Sequence, residues 1–112
     1  MPLEKPAGTV PKATLDEIVR RIVAFAAPEK IVMFGSAARG TMGPNSDLDL
    51  LIIKRGEYDK LRAMSDIRRA IGRVGLAIDV IVVTPEDVDR YRDVHCLVIK
   101  PALDEGKILH GT

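Results

Sequence analysis

Residues 31–53 read Ile31-Val32-Met33-Phe34-Gly35-Ser36-Ala37-Ala38-Arg39-Gly40-Thr41-Met42-Gly43-Pro44-Asn45-Ser46-Asp47-Leu48-Asp49-Leu50-Leu51-Ile52-Ile53. Two short apolar runs bracket a glycine-rich connection. The first run ends at Gly35 and reads as a buried strand; residues 48–53 read as a second strand, closed by Lys54-Arg55-Gly56. Between them, residues 35–46 form a loop with one helical turn near residues 36–39.

Outward from this centre the pattern is helical on both sides. Upstream, Thr14 and Glu17 have the spacing of a capping box, and Leu15, Ile18, Ile22 and Phe25 mark one helix face that Pro28 closes. Downstream, Leu61, Met64, Ile67, Ile71 and Val74 repeat every three or four residues within 57–74, and Gly75 ends that helix. Residues 76–83 form a third apolar strand. Thr84-Pro85-Glu86-Asp87 is a helix start with Thr84 as cap, and residues 94–105 read as mainly helical, with Pro101 kinking or restarting the helix. Residues 1–13, with Pro2, Pro6, Gly8 and Pro11, are expected to be a flexible arm ahead of a domain over 14–112. The fold class is therefore α/β, a small mixed β-sheet with helices packed on it.

The chain has 112 residues, 46% apolar and 29% charged, with 17 Lys and Arg against 16 Asp and Glu. That length suits one domain and leaves no room for separate catalytic and recognition domains. A net charge of +1 offers no footprint for direct nucleic-acid binding. The single Cys96 excludes an internal disulfide, fits a reducing cytoplasm, and reads as a small buried apolar residue. No apolar run is long enough to cross a membrane, and the first residues lack a signal-peptide core. His95 and His110 have no partner spacing and read as surface or satisfied residues.

Acid inside strands is the anomaly. Asp47 and Asp49 alternate along the second strand, so both carboxylates project from one face with Cα atoms about 6–7 Å apart. Two like charges that close repel unless something positive lies between them. Taken alone, the pair is also compatible with a solvated strand end, since Asn45-Ser46-Asp47 is turn chemistry. Asp79 interrupts a strand in which every other residue is apolar, and a bare buried carboxylate there costs several kcal/mol. Its alternatives are pairing with a buried arginine or an edge strand that exposes this face. If the two acid-bearing strands are neighbours, three carboxylates gather at one end of the sheet, and oxygen-only ligands suit Mg²⁺ or Mn²⁺.

Gly35-Ser36 directly after the first strand lets backbone approach a ligand closely, and a helical turn beginning there favours phosphate; Arg39 is within reach of a phosphate oxygen. By itself this is ordinary strand-to-helix turn chemistry. The composite is more specific: Gly35-Ser36, then ten residues, then Asp47-Leu48-Asp49, then an acid on a later apolar strand. It resembles the nucleotidyltransferase superfamily that includes DNA polymerase β-like enzymes. The closest likeness is to the minimal nucleotidyltransferase (MNT) domains of prokaryotic toxin–antitoxin pairs. The later Ala77-Ile78-Asp79-Val80-Ile81-Val82-Val83 agrees with the third-acid strand of that group.

The resemblance implies a nucleotidyltransferase fold in which Asp47, Asp49 and Asp79 are catalytic and hold two Mg²⁺ ions, with Mn²⁺ as an alternative. Gly35, Ser36 and Arg39 would bind the triphosphate of ATP or another NTP. It also implies a small helical HEPN-type toxin as partner, neutralised by transfer of AMP to a toxin hydroxyl, most simply a tyrosine. Two rivals stay open: a binding module that neutralises its partner by docking alone, and a transferase acting on a small-molecule acceptor. An open sheet edge leaves room for a homodimer or for partner docking. Arginines 62, 68, 69 and 73 read as a solvated helix face. An Asp-x-Asp phosphatase and a receiver domain place their acids after a strand, and a serine hydrolase needs Gly-x-Ser-x-Gly; none fits.

Overall fold

The computed structural model describes residues 10–43, 46–91 and 99–111. Its elements are α1 (Lys12–Ala26), β1 (Lys30–Phe34), α2 (Ser36–Arg39), β2 (Leu48–Ile53), α3 (Lys60–Ile71), β3 (Ile78–Val83), α4 (Pro85–Tyr91), α5 (Ile99–Glu105) and β4 (Lys107–His110). The sheet order is β3-β2-β1-β4. Strand β1 runs antiparallel to both β2 and β4. Strands β2 and β3 are parallel, joined by α3 as the crossover helix.

Helices cover both faces, which is why β1 and β2 are almost continuously apolar rather than alternating. On one face Leu48, Leu50, Ile52, Val80 and Val82 pack with Ile31 and Met33 beneath Ile18 and Ile22 of α1 and Ile67 and Ile71 of α3. On the other, Val32, Phe34, Leu51, Ile53 and Val83 meet Val88 of α4 and Ile99 and Ala102 of α5. Among the described residues no helix is long and apolar enough to cross a membrane.

Several local expectations shift. Helix α1 opens at Lys12 because the Leu15 amide already donates to the Pro11 carbonyl at 3.1 Å. Thr14 therefore lies inside the first turn and caps nothing, and Glu17 turns to Arg20 and Arg21 instead. The earlier part of the expected arm, residues 1–9, lies outside the described residues. The buried stripe of α1 is Ile18, Ile22 and Ala26, a strict i, i+4 row, so Phe25 is rotated out and 56% exposed. Helix α3 starts behind Asp59, whose carboxylate accepts the Arg62 amide at 3.1 Å, and it ends at Gly72 rather than Gly75. Leu61 consequently sits on the outer face, 77% exposed.

Helix α4 begins as expected. The Thr84 hydroxyl accepts the Asp87 amide (3.1 Å) and the Asp87 carboxylate accepts the Thr84 amide (3.0 Å). Helix α5 is described over Ile99–Glu105; the earlier part of the expected helix, residues 94–98, lies outside the described residues. Strand β4 is an addition: residues 107–110 carry too short a pattern to signal a strand, and pairing with β1 creates it. His95 and Cys96 lie outside the described residues.

Candidate active site

The C-terminal end of β1 and the N-terminal ends of β2 and β3 meet at one end of the sheet. Phe34 pairs with Asp49 across β1 and β2, and Asp49 pairs with Asp79 across β2 and β3. The turn following Phe34 thus lies beside the acids. Asp47 directly precedes β2, at the same parity as Asp49. The strand register therefore brings all six sequence-selected residues to one neighbourhood: Gly35, Ser36 and Arg39 on the turn and α2, and Asp47, Asp49 and Asp79 on the strands.

Gly35 is held to this role by two constraints. Its φ of 71° lies in the left-handed region, and a Cβ built on it would stand 2.3 Å from Asp49 Oδ2. The carboxylate of Asp49 therefore lies directly over the glycine backbone. Beyond Gly35, the Arg39 amide closes α2 onto the Gly35 carbonyl at 3.1 Å. The amides of Ser36, Ala37 and Ala38 begin the turn and have no acceptor within it. Arg39 is exposed and pairs with Glu105 at the end of α5 through Nη1 to Oε2, 3.3 Å.

The acids repel one another. Burial first, then the charges of Asp79 and Asp47, push the Asp49 carboxyl above the ordinary carboxylate value, and Arg39 acts in the opposite direction. Asp79 is not the buried group its apolar strand suggested. Strand β3 is the sheet edge, and the Asp79 side chain is 49% exposed with Arg68 Nη2 at 3.7 Å from Oδ1. Both alternatives raised for Asp79 hold in part: the strand is an edge, and an arginine is near, though at the surface. The desolvation cost inferred from the sequence is accordingly small. Periodicity on α3 places Arg68 on a polar face but cannot show that it reaches round to β3, so this neighbour was not legible.

Three carboxylates from adjacent strands form an oxygen-only, mutually repelling donor set, whose chemistry suits a hard divalent cation. Among the described residues, however, no group of three or more acidic, histidine or cysteine side chains stands ready-arranged to hold a metal ion. The donors fit in kind and in backbone position; their side chains are not closed around a common point.

The nucleotidyltransferase domain family matches residues 13–109. Among curated proteins none matches. Among solved structures, a chain of a mutant MntA–HpeT toxin–antitoxin complex is similar with a TM-score of 0.63 at 19% identity, over 88% of this chain and 73% of that one. A chain of the tri-AMPylated Shewanella oneidensis HEPN toxin in complex with MNT antitoxin aligns with a TM-score of 0.61 at 16% identity, covering 90% and 72%. A toxin–antitoxin with AMP-PNP aligns with a TM-score of 0.56 at 22% identity, covering 88% and 73%. At these identities the likeness is one of fold.

Proposed function

The chain belongs to the nucleotidyltransferase domain family, and on that premise we propose that it transfers AMP from ATP to a hydroxyl, with a tyrosine of a HEPN-type toxin as the acceptor and antitoxin action as the outcome. The observation that carries the reading is the register of Asp49 against Asp79, with the Gly35 turn pressed on Asp49. A solved relative of the same fold holds an AMPylated HEPN toxin with its MNT antitoxin, which supports the choice of nucleotide and partner.

In this reading the acceptor oxygen attacks the α-phosphorus of ATP, a new P–O bond forms, and the bond to pyrophosphate breaks in line. Gly35 and the first amides of α2 hold the triphosphate, the Ser36 hydroxyl donates to it, and Arg39 balances its charge. Asp47, Asp49 and Asp79 would hold Mg²⁺, which when bound supplies charge neutralisation for the attacking and leaving oxygens. Asp79, on the open edge, accepts the hydroxyl proton. What remains for the protein is positioning, which a rigid sheet end provides.

The test is direct. The protein is incubated with ATP, Mg²⁺ and a candidate HEPN-type protein from a neighbouring reading frame, and the intact mass of that protein is measured. It should rise by one or more AMP units, and EDTA should prevent the rise. Asp47→Asn and Asp79→Asn should abolish it with the circular dichroism spectrum unchanged. Labelling by the substituted proteins at the wild-type rate would refute the assignment. Neutralisation of the partner without any mass gain would favour docking alone.

A further inference from the structure

We infer that Arg68 is the resident counter-cation of Asp79, held there until a divalent cation displaces it, and so lowers the affinity of the acidic site for that cation. Arg39 is the cation acting on Asp49. The inference deepens the proposed function and rests on it. Like charges directly opposite each other destabilise a strand pair, and Asp49 and Asp79 are such a pair. Arg68, in the last turn of α3, reaches over the edge strand to place Nη2 at 3.7 Å from Asp79 Oδ1.

That distance is too long for a hydrogen bond. Charge alone holds the contact, and with side chains 58% and 49% exposed it is weak and readily exchanged. The neighbouring arginines do not share this place: Arg62 and Arg69 both stand near Asp66, at 3.9 and 4.0 Å. A guanidinium stays protonated at any relevant pH, so it cannot join a metal's ligand set and can only compete for the carboxylate.

Mn²⁺ binding to the full chain without nucleotide, followed by electron paramagnetic resonance, tests this without relying on activity. Arg68→Gln should bind Mn²⁺ about two- to fivefold more tightly than wild type, the range expected for an exposed ion pair. Arg68→Lys, which keeps the charge, should stay close to wild type. The gain in Arg68→Gln should shrink as salt is raised, because screening weakens the competitor. Unchanged or weaker Mn²⁺ binding by Arg68→Gln would overturn the inference. Asp79→Asn separates the two levels. If it weakens wild-type Mn²⁺ binding while Arg68→Gln has no effect, the role of Arg68 alone fails. If wild type binds no Mn²⁺ at all, the metal reading falls as well.

Discussion

A methyl group at position 35 has nowhere to go: the Asp49 carboxylate occupies its place, and the backbone stands at a φ of 71°. Gly35→Ala should therefore cost about 1–3 kcal/mol by urea denaturation, from strain and from displacement of Asp49. AMP transfer should fall with it even where the variant is fully folded. Asp49 works against the fold that holds it. Its carboxyl is raised, first by burial and then by Asp79 and Asp47, so the folded chain retains a proton that the unfolded chain has released. Stability must then decline as pH rises from the ordinary carboxylate value to the raised one. Asp49→Asn should remove that decline. At neutral pH, in metal-free buffer, it should raise stability by about 0.2–1 kcal/mol, the cost of a like-charge cross-strand pair, while abolishing transfer. Thermal melts across pH on both proteins check this. The Asp-x-Asp spacing was legible because strand alternation is a local rule. The exposure of Asp79 was not, since an apolar string reads the same in a central strand and at an edge.

The helices are joined by a latch on the face away from the acids. Arg21 of α1 donates through Nη1 to the Ile71 carbonyl at the end of α3 (2.5 Å) and through Nε to Glu17 (2.7 Å). Hydrogen bonds from Arg20 and then Arg21 hold the Glu17 carboxyl down to about 2. Stability from Glu17 is thus complete above its unfolded value of 4.5 and is lost as pH falls through about 2. Arg21→Ala should destabilise the chain by about 1–2 kcal/mol, a charged hydrogen bond discounted for partial exposure. It should also shift acid unfolding to higher pH, since Glu17 loses one of its two partners. Periodicity located both helices and picked Ile18, Ile22, Ile67 and Ile71 correctly, yet it chose Phe25 where Ala26 faces the sheet and added Leu61, which is exposed. A residue set spaced by three or four admits two adjacent stripes, and only the packed sheet selects between them. The helix starts shift for a similar reason: Pro11 and Asp59 satisfy first-turn groups through contacts that a capping motif at Thr14 does not reveal.

At the scale of the molecule, an antiparallel pair and a parallel pair share one strand, β2, and that arrangement makes the site. The hairpin-like pairing of β1 with β2 lays the Gly35 turn over Asp49, and the α3 crossover returns the chain so that Asp79 arrives level with it. Strands β3 and β4 form the two edges of the sheet, with Ile108 exposed on β4. The β3 edge carries the acid that Arg68 approaches. The α/β class, the pairing of a glycine turn with alternating acids, and the family likeness were all written in the chain, because apolar periodicity and motif spacing act over a few residues. Strand order, the fourth strand, the edge position of Asp79 and its arginine neighbour were decided only in three dimensions. Each depends on a contact between segments far apart in sequence, and such contacts are set by packing and register rather than by any local pattern.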